Sequence, residues 1–222
     1  MTQLRSLACP NCGASLPGAV PQNGVAACEF CGTSFRVAAS PTPEPDLGDL
    51  ILGADFRDAG VPGWALSTPE NLEFKPGDPP ELWARFPASS QIHPVIRTPA
   101  YFDNCDAGVT VRFVEGDTEY VSAGLEARGS DAGDYTFRIS AQGTFQVAWH
   151  DKNDWGGTLL NWTAHPALKP GLGPANRLRI LLRGEQIRVY LNGVLATSLR
   201  DSRFSGGTLR VMITPGKRKP AV

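Results

Sequence analysis

From residue 50 onward, apolar and polar residues alternate with a period of two in short segments, each bounded by Gly, Pro, Asn or Asp. In "GVTVRFVEG", Val109, Val111 and Phe113 share one face and Thr110 and Arg112 the other. "YTFRIS" aligns Tyr135, Phe137 and Ile139, and "GTFQVAWH" aligns Phe145, Val147 and Trp149. In "RLRILLRGEQIRVYLNGVLA", Leu178, Ile180 and Leu182 alternate with Arg177, Arg179 and Arg183, a Gly184-Glu185 turn follows, and Ile187, Val189 and Leu191 lead into Asn192-Gly193. Asn-Gly favours the type I′ hairpin turn because both residues tolerate positive φ. The pattern predicts about eleven to thirteen strands between residues 50 and 214 and no helix of ten or more residues, hence an all-β fold, a two-sheet β-sandwich or jelly roll.

The first 39 residues follow no such pattern and are organised by cysteine. Cys9 and Cys12 form one Cys-x-x-Cys pair, Cys28 and Cys31 a second, with fifteen residues between the pairs. This is the spacing of a four-thiolate metal site, since each tight turn aims two sulfurs at one ion. The glycines that follow, Gly13 and Gly32, let the chain curl past it. Zinc is the expected ion and iron the alternative for the same tetrahedron. Four thiolates leave no open position for a reacting water, so the metal is structural and folds a segment too short for its own core.

Charge narrows the partners. Lys and Arg number 21 against 22 Asp and Glu, a net charge of -1, so no global field attracts nucleic acid or anionic lipid. Within residues 1–39 only Arg5 and Arg36 stand against Glu29, and a thiolate-bound divalent ion adds two negative charges. The segment therefore disfavours nucleic acid. Its small, uncharged stretch "GASLPGAVPQNGVAA" suits a protein partner. Residues 40–49 carry Pro41, Pro43 and Pro45 and are expected to form an extended linker; residues 216–222, with Lys217, Arg218 and Lys219, are expected to be a flexible basic tail. No stretch has the length of a membrane span, and "MTQLRSLACPNC" lacks a secretory leader, which predicts a cytoplasmic chain with reduced thiols. Non-classical export and a preceding segment stay open.

The knuckles "CPNCG" and "CEFCG" resemble those of the zinc ribbon family, which implies paired hairpins around structural zinc over residues 7–38, within a first domain of residues 1–39. The stretch from "YTFRIS" through "NWT", "VYLNG" and Asp201 with Phe204 resembles the concanavalin A-like lectin/glucanase superfamily. It is most similar to bacterial laminin-G-like and 3-keto-disaccharide hydrolase-like domains. The resemblance covers residues 50–215 and implies the sandwich; function it leaves open between lectin, glycosidase and interaction module.

The candidate chemistry is thin. "EGDTE" spaces Glu115, Asp117 and Glu119 as a glucanase spaces its carboxylates along a strand, but Gly116 and Asp117 favour a hairpin loop with solvated acids. "WHDKNDW" offers His150, Asp151 and Trp155 as sugar contacts after Trp149, which continues the core stripe; Trp162 is also assigned to the core. Alternation turns Arg112, Glu126, Arg138, His150, Arg179, Arg188 and Tyr190 outward. From these, Arg138, His150, Asp151, Trp155, Arg188 and Tyr190 are the candidate ligand residues. Asp103 and Asp106 form a weak calcium pattern, and the lone Cys105 reads as a small buried residue at a strand start. The chain is expected to be a non-enzymatic recognition or scaffolding protein, its ribbon docking a protein and its sandwich binding a glycan or protein. The alternative is a carbohydrate-active enzyme.

Overall fold

The computed structural model describes residues 7–8, 11–16, 25–36, 53–56, 63–153, 156–216 and 220–222. The chain divides into two compact units, Met1–Leu47 and Gly48–Val222. The linker expected over residues 40–49 lies wholly outside the described residues.

The first unit contains two small hairpins, β1 (Leu7–Ala8) with β2 (Ser15–Leu16) and β3 (Val25–Ala27) with β4 (Ser34–Arg36). Cys12 lies between the strands of the first hairpin, and Cys28 and Cys31 lie between those of the second.

The second unit is all-β. A 3-10 turn, Pro69–Asn71, is its one helical element among the described residues. Its early strands are β5 (Ala65–Leu66), β6 (Leu72–Lys75), β7 (Glu81–Ala84), β8 (His93–Arg97) and β9 (Cys105–Arg112). Then come β10 (Ser122–Ser130), β11 (Gly133–Ser140), β12 (Thr144–Asp151) and β13 (Gly156–Ala164). The last are β14 (Ala175–Arg183), β15 (Gln186–Leu191), β16 (Val194–Arg200) and β17 (Thr208–Thr214). Seven strands form one sheet in the order β13-β12-β11-β10-β17-β8-β5, and four form the other in the order β16-β15-β14-β9. The hairpin β6-β7 stands apart from both.

The period-two stripes are the core. Tyr135, Phe137, Ile139, Phe145 and Val147 from the larger sheet meet Leu178, Ile180, Leu182, Ile187, Val189 and Leu191 from the smaller, and all are at most 2 % exposed. Asn192 and Gly193 both have positive φ, as the hairpin between β15 and β16 requires. A second cluster around Phe86, Phe113, Val121 and Ile213 continues the core.

The chain end differs from the flexible tail expected over residues 216–222. Ala221 and Val222 are buried in and beside the second cluster. Backbone bonds hold them: Phe86 N to Ala221 O at 3.0 Å, Ala221 N to Phe86 O at 3.1 Å and Val114 N to Val222 O at 2.8 Å. Lys217, Arg218 and Lys219 lie outside the described residues. Charge composition suggested a solvated tail, whereas the two apolar residues after it decide the outcome by closing the core.

Candidate functional site

Two places carry chemistry: the cysteine turns of the first unit, and the face of the seven-stranded sheet turned away from the core.

In the first unit the ligand atoms of Cys12, Cys28 and Cys31 all lie within 4.8 Å of one another; Cys9 is outside the described residues. The Cys12 and Cys28 sulfurs are 3.6 Å apart. That is too long for a disulfide, at about 2.05 Å. It matches the edge of a tetrahedron with zinc-sulfur bonds of about 2.3 Å, roughly 3.8 Å. Gly13 and Gly32 share a φ of 72°, so both turns curl alike. In the second turn Gly32 N donates to Cys28 O at 2.8 Å and Cys28 N to Thr33 O at 2.9 Å. Hydrogen bonds from the Thr33 side chain and backbone lower the Cys31 thiol to about 6, towards the thiolate a metal needs. The three cysteines can therefore hold a metal.

In the second unit, register assembles the outer face. Arg210, Glu126, Thr136 and Ala148 lie opposite one another across β17, β10, β11 and β12. Two residues along, Met212, Gly124, Arg138 and Gln146 form the neighbouring row. Glu126 is 8 % exposed and its Oε1 lies 2.7 Å from Arg210 Nη1. Burial, with the nearby Asp134 charge, raises its carboxyl to about 7 in spite of Arg210 and His150. Beside it Thr136 Oγ1 donates to Asp134 Oδ1 at 3.2 Å, and His150 Nδ1 is 3.5 Å from the same oxygen. The Asp134 contact raises the His150 pKa, against its burial. Arg138 is half-buried, bonds Gln146 Oε1 and stacks on Trp162, its Cζ 5.3 Å from the ring.

Trp162 corrects a sequence expectation. It is 40 % exposed rather than in the core. On β13 the partners of Phe145 and Val147 are Thr163 and Leu160, so two residues, Asn161 and Trp162, bulge between them. The bulge resets the alternation and turns Trp162 to the outer face. The adjacent Leu159 and Leu160 of "TLLNWT", both packed against the core, mark a second register shift on the same strand, opposite Val147 and Ala148.

The five described candidate ligand residues do not converge. Arg138 and His150 share the outer face of the seven-stranded sheet, and Asp151 follows His150 on the opposite side of β12, its Oδ1 accepting from Asn153 N at 2.8 Å. Trp155 lies outside the described residues. Arg188 and Tyr190 belong to β15, in the other sheet. There Tyr190 is 4 % exposed, with the Arg179 guanidinium 4.9 Å from its ring centroid. Arg179 Nε and Nη2 in turn donate to Asp106 Oδ1 and Oδ2 at 2.8 and 2.7 Å. The sheet face with Tyr190 is thus paired within itself, and the carboxylate that the calcium pattern required is taken. Arg112 is paired with Glu81.

The remaining sequence candidates are structural. "EGDTE" is a loop between β9 and β10, which belong to different sheets, so it is a crossover rather than a hairpin; Asp117 Oδ1 accepts from Glu119 N at 3.1 Å. Burial raises the Cys105 thiol to about 11, making it a poor nucleophile. His93 stacks on Phe86 and His165 meets Phe145 edge-on. No helix is long and apolar enough to cross a membrane among the described residues.

No family model and no curated protein matches the chain. Solved structures do. The carbohydrate binding module CBM66 from Bacillus subtilis is similar at 15 % identity and a TM-score of 0.53, over 72 % of this chain and 91 % of that one. The Bacillus licheniformis β-glucanase gives 10 % identity and 0.54, over 75 % and 91 %. The laminarinase catalytic domain of Thermotoga maritima gives 12 % and 0.50, over 78 % and 93 %. The second unit, with two stacked sheets and no long helix among its described residues, has the concanavalin-like jelly-roll β-sandwich fold that these three structures share.

Proposed function

We propose that this protein is a glycan-recognition protein. The outer face of its seven-stranded sheet binds saccharide, and an N-terminal zinc ribbon docks a protein partner. The observation that carries the first part is the pairing of exposed Trp162 with Arg138 and Gln146 beside Glu126, Asp134 and His150. A sugar presents an apolar ring face, which an indole covers, and hydroxyls, which amides and carboxylates bond. Likeness in fold to a carbohydrate binding module, a β-glucanase and a laminarinase is compatible with this reading.

The direct test is retardation in gels containing soluble polysaccharides. Wild type is expected to be slowed by at least one, and Trp162→Ala to lose that retardation with its melting transition intact. A wild type slowed by none would sink the reading.

A second reading rests on a specific pair. Glu126 and Asp134 are diagonal neighbours on adjacent strands, a spacing of about 7–8 Å. One is protonated near neutrality and the other lies close enough to raise it. That suits a general acid and a base in glycoside cleavage. Both groups are already engaged, by Arg210 and by Thr136 and His150, which favours recognition. Release of reducing ends from the retarding polysaccharide, lost in Glu126→Gln, would instead assign catalysis.

For the ribbon, Cys9, Cys12, Cys28 and Cys31 would hold one structural zinc ion. Phe30, between the second pair and 75 % exposed, would contribute to the partner surface. Native mass spectrometry is expected to find one zinc per chain and none in Cys28→Ser, with the melting of the sandwich unchanged. Full zinc in the variant, or iron in the wild type, would contradict the assignment.

A further inference from the structure

Arg138 is the odd charge on the saccharide face. Arg210 has Glu126, and Arg179 on the opposite sheet has Asp106, each at 2.7 Å. Arg203 has Asp201 and Arg112 has Glu81. Arg138 has no carboxylate within ion-pair distance among the described residues. Its partners are the neutral Gln146 amide and the Trp162 ring, and its Nε is buried without an acceptor. Burial alone weighs on its charge. A half-buried guanidinium without a counter-ion is costly, and a carboxylate is the group its planar fork fits best. Opposite it in register is Gly124, which puts no side chain between Arg138 and Met212.

We infer that the glycan this face takes is acidic, a uronate-containing chain whose sugar carboxylate pairs with Arg138 while the ring stacks on Trp162. This rests on the glycan reading above and narrows its substrate class. The charge is local: the whole chain is at -1, so general attraction to a polyanion does not account for such binding.

The test runs the full chain in gels containing polygalacturonate, a sulfated galactan, or neutral β-glucan, xylan or levan. Polygalacturonate is expected to retard wild type most. Arg138→Gln should weaken that about 10- to 100-fold, the loss of a charge-assisted hydrogen bond. Arg177→Gln, the same charge change at an exposed position on β14 of the other sheet, should leave it unchanged. Arg138→Lys keeps the charge without the fork and is expected to fall between; if Arg138→Gln does not fold, this variant decides, and full retention overturns the inference. Stronger retardation by the sulfated or a neutral polymer, or polygalacturonate binding unaffected in folded Arg138→Gln, overturns the acidic-sugar inference and leaves the glycan reading standing. Retardation by no polymer overturns both.

Discussion

Arg128→Met is expected to destabilise the sandwich by at least about 3 kcal/mol, measured as a shift in the denaturant midpoint. Arg128 is 2 % exposed and has a φ of 56° at the bulge that ends β10. Its guanidinium donates to three backbone carbonyls from separate segments: Phe204 O at 2.7 Å, Asp103 O at 2.9 Å and Gly184 O at 2.8 Å. Methionine fills similar space but leaves three acceptors unsatisfied, each costing about 1–3 kcal/mol. A domain has about 5–15 kcal/mol to lose. Lysine cannot rescue it, because one ammonium on a flexible stem does not span three divergent acceptors. A midpoint change equivalent to less than about 1 kcal/mol would show that water replaces the guanidinium.

Glu126→Gln is expected to act in the opposite direction, and only at higher pH. The Glu126 carboxyl rises from an ordinary 4.5 to about 7 in the folded chain, chiefly through burial. Between those values the unfolded chain has released a proton that the folded chain keeps, so stability falls as pH rises through the window and the whole penalty is present above about 7. At 1.36 kcal/mol per unit this is about 3 kcal/mol. His150, raised by Asp134, works in the same sense: it stabilises below its ordinary 6.5 and the gain is lost as pH passes its folded value. Glu81, held down by Arg112, and Asp201, held down by Tyr135 and Arg203 against its burial, have the reverse sign. They cost stability only as pH falls through the acidic range. Wild type should therefore melt lower at pH 8 than at pH 5.5. Glu126→Gln should remove most of that difference, raising the pH 8 midpoint by roughly 6–12 °C. An equal slope in both proteins would mean that Glu126 is ionised in the fold throughout.

The outline of the sandwich was legible because burial on one side of a strand imposes a period of two. Tyr135, Phe137 and Ile139, like Leu178, Ile180 and Leu182, are where alternation put them. The Asn192-Gly193 turn was legible for an equally local reason, positive φ at both residues. Alternation separates inside from outside but does not say which sheet a strand joins. That is why Arg138 and His150 were grouped with Arg188 and Tyr190, which belong to the other sheet. Sheet membership is set by long-range pairing, such as β10 lying against β17, and no local pattern encodes it. Bulges hid the rest. One extra residue on β13 carried Trp162 out of the expected core, and a register shift near the end of β10 placed Arg128, unremarked in the sequence, where three loops need a donor.

The central claim is that saccharide lies on the outer face of the seven-stranded sheet. Its most direct measurement is polysaccharide gel retardation of Trp162→Ala and Arg188→Ala run side by side with wild type, each variant first shown to melt as wild type does. On this proposal retardation is lost in Trp162→Ala and kept in Arg188→Ala. Loss in Arg188→Ala with Trp162→Ala still retarded would move the binding surface to the four-stranded sheet and contradict the account.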